Sequence, residues 1–212
     1  MAKKVFFSFH YQDVIDFRAN VVRKHGKFKL NSQEAGYFDS SMWEKAKKES
    51  NLALKRLINN GLKNTSNTCV LIGDETFKRP WVRYEIFKSL LNNNHLFAVH
   101  INEIKCKKEQ TKNLGKNPFD YVGLYAKDKD TLDLVEYKSG EWYYYTEIDS
   151  KSSFSFKSHG LKIGDTHKFS KFFPTYKWKK DDGFNNFKNW VKKKSTIKSI
   201  MPLKIKTTFL KI

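Results

Sequence analysis

Cysteine is scarce in this chain. Cys69 and Cys106 are the only two among 212 residues, too few and too far apart for a disulfide scaffold or a zinc site. The six histidines show no metal-ligand spacing, so no metal site is expected. No apolar run approaches the length of a membrane span. The opening Met1-Ala2-Lys3-Lys4-Val5 lacks the long apolar stretch of a secretory leader. The expectation is a soluble, cytoplasmic protein with no membrane contact. Acidic residues are also short: 41 Lys and Arg face 22 Asp and Glu, for a net charge of +19. The imbalance is local, because residues 151–212 hold 16 Lys, no Arg and 3 acids. Such a segment can attract polyanions. Lysine abundance throughout the chain points instead to a solvated basic surface, and nucleic acid is not the expected partner.

Apolar residues make up only 39%, but aromatics reach 16%, enough to build a core from Phe, Tyr and Trp. The composition is not that of a disordered chain, and no internal repeat is present. Its length suits one good-sized domain with room for an appended segment.

Lys4-Val5-Phe6-Phe7-Ser8-Phe9 is an apolar run without alternation, as in a parallel strand covered on both faces. Asp13 to Lys24 reads as a helix with Val14, Phe17, Val21 and Val22 on one stripe. Gly36–Asp39 reads as a short strand ending in an acid, followed by a polar stretch containing Trp43. Ser50 to Asn60 reads as a helix stopped by Gly61. Thr68–Gly73 is a strand, Trp81–Leu91 a helix opened by Pro80, and His95–Ile101 another strand. This βαβ alternation predicts a parallel α/β sheet. Ligands of such sheets bind beyond the strands' carboxyl ends, where Ser8, His10, Tyr11, Asp39, Gly73 and Asp74 would converge. Past Asn102 the pattern weakens. Asn117–Tyr121 reads as a compact turn, Leu132–Tyr137 and Trp142–Thr146 as a hairpin, and Trp178–Lys193 as a last helix with Phe184, Phe187, Trp190 and Val191 on one face.

Trp81 and Glu85 carry the strongest chemical signal. A spacing of four stacks an indole and a carboxylate on one helical face, near a helix start where the macrodipole favours an anion. A flat aromatic beside a positioned carboxylate suits a ligand made of a planar base and a sugar. Trp43 and Tyr11 are further stacking candidates.

The elements Val5–Phe9, Asp39 with Trp43 after it, Thr68–Gly73 and Trp81–Ile86 occur in the order of a TIR domain. The opening Lys3–Arg18, Ala53–Asn59 and Asn117–Tyr121 resemble the TIR-like proteins of the Thoeris anti-phage systems, over roughly residues 3–192. The resemblance implies a flavodoxin-like TIR fold: a central, mainly parallel sheet flanked by helices, with a C-terminal hairpin and helix elaboration. It further implies a TIR-like domain over residues 1–194 (core 3–104, elaborations 105–194) and a basic extension at 195–212. It implies an NAD hydrolase or cyclase in which Glu85 is catalytic and Ser8, His10, Tyr11, Asp39, Trp43 and Trp81 contact substrate. NAD is then the substrate, not a cofactor, and no other cofactor is expected. The implied product is a cyclic ADP-ribose isomer, a diffusible signal to a ThsA-like effector. A phage-derived trigger and TIR self-association belong to the same expectation. Two rival readings are a non-enzymatic TIR scaffold, which has no need of Glu85, and a nucleic-acid module whose binding weakens steeply with salt.

Overall fold

In the computed structural model, residues 4–30, 40–63, 65–128, 131–148 and 161–193 are described. In chain order the elements are β1 (Val5–Ser8), α1 (Tyr11–Ile15), α2 (Arg18–Leu30), α3 (Ser40–Glu49), α4 (Asn51–Leu62), β2 (Asn67–Ile72), α5 (Pro80–Leu91) and β3 (His95–His100). There follow β4 (Val122–Ala126), β5 (Leu132–Lys138), β6 (Glu141–Tyr144), β7 (Thr166–Lys168), β8 (Thr175–Lys177) and α6 (Gly183–Lys192). The chain divides into two compact units, one from residues 1–116 with 174–194, the other from 117–173 with 195–212.

The first unit carries the parallel sheet, in the order β1-β2-β3-β8. The predicted α/β architecture is borne out: β1, β2 and β3 are buried along their whole length, as continuous apolar runs in a doubly covered sheet require. One face packs Phe7, Cys69, Leu71, Phe97 and Val99 with Phe187, Trp190 and Val191 of α6. The other faces α5. The Thr68 and Ser89 hydroxyls meet at 2.8 Å, and Ser8 reaches Glu85 across the same interface.

Several element boundaries differ from the sequence reading. The single helix expected at Asp13–Lys24 is two helices, broken at Phe17, whose φ of 68° lies in the left-handed region. The break re-phases the stripe, so Ala19 and Val22 are buried whereas Phe17 and Val21 are exposed. Gly61 does not stop α4. Ser50 caps its start by accepting from the Ala53 N–H at 3.0 Å, and the buried positions Leu54, Ile58 and Leu62 carry the helix through the glycine. The last helix opens at Gly183 instead of Trp178, and Phe184 is 59% exposed, off the buried face. An added Cβ at Gly183 would meet the Trp178 ring at 2.4 Å, so glycine is what lets that indole seat there. The expected strand at Gly36–Asp39 lies outside the described residues, while the polar stretch after it forms α3.

The second unit is an antiparallel sheet, β6-β5-β4-β7. The predicted hairpin is present. Lys138 pairs with Glu141 around Ser139 and Gly140, whose φ values of 47° and 94° are the double positive φ that a tight hairpin turn requires. Asn117 caps the short turn Pro118–Asp120, accepting from the Phe119 N–H at 3.0 Å. Phe119, Phe169 and Phe173 pack as its aromatic centre. No helix among the described residues is long and apolar enough to cross a membrane.

Candidate active site at the carboxyl edge of the parallel sheet

β1 ends at Ser8, and its hydroxyl donates to Glu85 Oε2 at 2.5 Å. Both residues are buried, Glu85 to 5% exposure. Removing the carboxylate from water disfavours its charge and raises its pKa to about 8, with the Ser8 hydrogen bond pulling weakly the other way. The helix dipole does not offset this burial. Glu85 is the sixth residue of α5, beyond the first turn where the macrodipole acts, so desolvation dominates. Its backbone carbonyl also accepts from Ser89 Oγ at 2.6 Å, tying the carboxylate's turn to the Thr68–Ser89 contact below. One turn above Glu85, half-buried Trp81 packs edge-on against Tyr84, with ring centroids 5.9 Å apart.

His10 and Tyr11 follow β1. The buried His10 Nδ1 has no hydrogen-bond partner. Burial first, then the positive charges of Arg79 and Lys112, hold its pKa below the ordinary imidazole value. Tyr11 opens α1 and is 42% exposed.

Behind this edge lies a polar cluster of which the sequence pointed only to Gly73 and Asp74. Asp13 is fully buried, and desolvation raises its pKa to about 6 against the pull of Lys112. Its carboxylate lies where a Cβ on Gly73 would fall, 2.2 Å from Oδ1. That oxygen has no hydrogen-bond partner, and the Thr76 hydroxyl is 3.5 Å from the other. Lys112 bridges Asp16 at 2.9 Å and Asp74 at 3.3 Å. Arg18, fully buried, donates to the carbonyls of Ile104 and Gln110 at 2.9 and 2.7 Å and pairs with Asp16 at 2.7 Å. These groups fasten the lysine-rich loop after β3 over the sheet's carboxyl edge. Nothing periodic in the sequence marks them, because they come from three separate stretches: Asp13, Asp16 and Arg18 around the α1–α2 break, Asp74 and Thr76 after β2, and Lys112 after β3.

Residues 6–105 match the family model described as Thoeris protein ThsB, TIR-like domain. The chain is also similar to ThsB1 of Bacillus cereus (strain MSX-D12), which carries the name cyclic ADP-D-ribose synthase. The two are 52% identical over 192 residues, spanning 90% of this chain and 100% of the relative. The chain belongs to the ThsB family.

In this ThsB-family chain, two of the site residues expected from sequence, Ser8 and Glu85, touch. Trp81 stands one turn above them, and His10 and Tyr11 continue from the same strand end. Asp39 lies outside the described residues, as does the side chain of Trp43, although its backbone belongs to α3. No group of three or more His, Cys, Asp and Glu arranged to hold a metal is present among the described residues. Cys69 of β2 is fully buried, and desolvation pushes its thiol well above the ordinary range.

Proposed function

We propose that this protein is an anti-phage signalling enzyme: it breaks the nicotinamide–ribose bond of NAD and closes the ADP-ribose half into a cyclic isomer. The carrying observation is the buried Ser8–Glu85 pair at the sheet's carboxyl edge. The family membership and the relative's name support the reaction class.

Bond breaking builds oxocarbenium character on the ribose. A carboxylate desolvated beforehand stabilises that developing cation more strongly than one in water. The nicotinamide ring carries a positive charge before cleavage, so its binding favours ionised Glu85 and draws the pKa down from about 8. Nicotinamide then leaves as a neutral ring and needs no strong general acid. One carboxylate therefore suffices where a glycosidase needs two. Ser8 fixes the carboxylate rotamer through its 2.5 Å hydrogen bond. Trp81, and Tyr11 from the β1 end, offer flat surfaces for the nucleotide.

The product acts as a diffusible signal on a ThsA-like effector, without a stable complex between the two proteins. A phage-derived trigger switches the enzyme on, and association between TIR domains accompanies it. Protein-free filtrates of phage-triggered cells test this. Wild-type filtrate switches on the effector and Glu85→Gln filtrate does not. An inert wild-type filtrate, with activation only on physical contact, would refute the diffusible signal.

A further inference from the structure

His100 ends β3. It is 8% exposed, and its buried Nδ1 has no hydrogen-bond partner. The sheet register fixes the way it faces. Ser8 pairs with Val70 and Val70 with Ala98; one rung lower Thr68 pairs with Leu96, and one rung higher Ile72 pairs with His100. Neighbours across a parallel sheet point to one side, and positions two apart share it. Ser8 and Thr68 both meet α5, so His100 lies on the α5 face too, opposite to the core that holds Phe97 and Val99.

Its height follows from two observed contacts. Glu85 meets the Ser8 rung and Ser89 the Thr68 rung. Four helical residues therefore climb one rung, as expected when ~6 Å of helix matches ~6.6 Å of strand. The next turn of α5, at Trp81, then stands level with Ile72 and His100. Seen from Glu85, Trp81 and His100 form the upper tier of the same face, with the His100 backbone about 12 Å from that of Ser8, two strands across and one rung up. That is the span over which the adenosine half of an ADP-ribose extends from its other ribose.

We propose that His100 is the residue that favours cyclisation over hydrolysis, holding the adenosine half and accepting the proton of its attacking group. This rests on the NAD-cleaving reading of the site. The nicotinamide–ribose C–N bond breaks, and nicotinamide leaves with the bonding pair. A hydroxyl or amino group of the adenosine half forms the new bond to the anomeric carbon. Its proton passes to His100 Nδ1 and then to water. A neutral imidazole suits this step. Burial, and then the Lys177 ammonium on neighbouring β8, hold the ring's pKa below its ordinary value. Its neighbour across the sheet on β2 is the apolar Ile72, and Glu85 of α5 meets the same face one rung below, at Ser8.

The full-length enzyme, activated in triggered cells, is incubated with NAD between pH 5 and 8. Nicotinamide, cyclic product and linear ADP-ribose are then quantified by mass spectrometry for wild type, His100→Gln and Lys177→Gln. In His100→Gln the cyclic-to-linear ratio among the products released falls by about tenfold or more. The wild-type ratio drops on the acid side as the imidazole takes its proton, and His100→Gln is flat with pH. Lys177→Gln, which leaves the β3 core untouched, moves the acid limb to higher pH. An unchanged ratio in His100→Gln, or an acid limb that does not move in Lys177→Gln, overturns the proposal. Should His100→Gln fail to fold, the Lys177→Gln limb decides alone. A wild type that cyclises beside an unaffected His100→Gln refutes only this inference. A triggered wild type that releases no nicotinamide refutes the NAD-cleaving reading, and this inference with it.

Discussion

Glu85 is a carboxylate placed where charge is costly. Its pKa of about 8 means that the free enzyme holds it mainly protonated at neutral pH. Activity that needs the ionised form then gives a kcat/KM that rises with pH through about 8. The kcat limb lies lower, because it reports the complex in which a cationic substrate favours the charge. Initial rates across pH 6–9.5 check this, and a kcat/KM flat over that range would contradict it. The same shift has a stability consequence. A raised carboxylate pKa leaves folding unpenalised below the unfolded value, and the penalty grows until pH passes about 8, to on the order of 5 kcal/mol. Glu85→Gln keeps the shape without the charge. It should melt above wild type at pH 9 and near it at pH 4.5, in paired thermal melts. The spacing of Trp81 and Glu85 was legible in the sequence, as was the placement of Ser8 at a strand end. That Ser8 and Glu85 meet, 77 positions apart, was not. The dipole argument failed because burial, which no local pattern reports, outweighs it.

At the scale of elements, most strands and helices of the parallel sheet were readable because their apolar runs are long and unbroken. The errors fall where tertiary contacts override local signals. Gly61 reads as a stop, but Leu62 beyond it is buried and keeps α4 going. Phe17 breaks a helix through a left-handed backbone, while the neighbouring Arg18 is clamped to two loop carbonyls. The three-residue strand β8 is too short to show any period, and only its pairing with β3 defines it. The close packing at the carboxyl edge gives a sharp test. A Cβ at Gly115 would lie 1.8 Å from the Gly73 carbonyl, and one at Gly73 would overlap Asp13. Gly115→Ala meets backbone and cannot be relieved by a rotamer change, so it should cost about 1–3 kcal/mol. Gly73→Ala should cost a similar amount unless Asp13 is shortened too. Denaturant midpoints of Gly73→Ala with and without Asp13→Ala check the pair, and an additive double mutant would contradict the clash.

At the scale of the whole molecule, the two units have different sheets, and only the first holds the Ser8–Glu85 pair. The last described helix closes that unit's core through Phe187, Trp190 and Val191. We propose the folded boundary near residue 194: removing residues 195–212 should leave melting and turnover unchanged. A cut before Phe184 should destabilise the protein by several kcal/mol, at about 1.5–3 kcal/mol per large buried side chain. Expression and melting of both truncations check it, and an equally harmless longer cut would contradict it. The net charge of +19 plays no part in this account of the chemistry. In the proposed reaction Glu85 drives the conversion of NAD to nicotinamide and a cyclic ADP-ribose isomer. Mass spectrometry of the products that triggered wild type and Glu85→Gln form from NAD tests it most directly. Wild type should release nicotinamide and an equal amount of ADP-ribose product, cyclic in the main. Folded Glu85→Gln should be slower by about 10²–10³. Equal turnover by the two proteins, or no NAD consumed by triggered wild type, would contradict it.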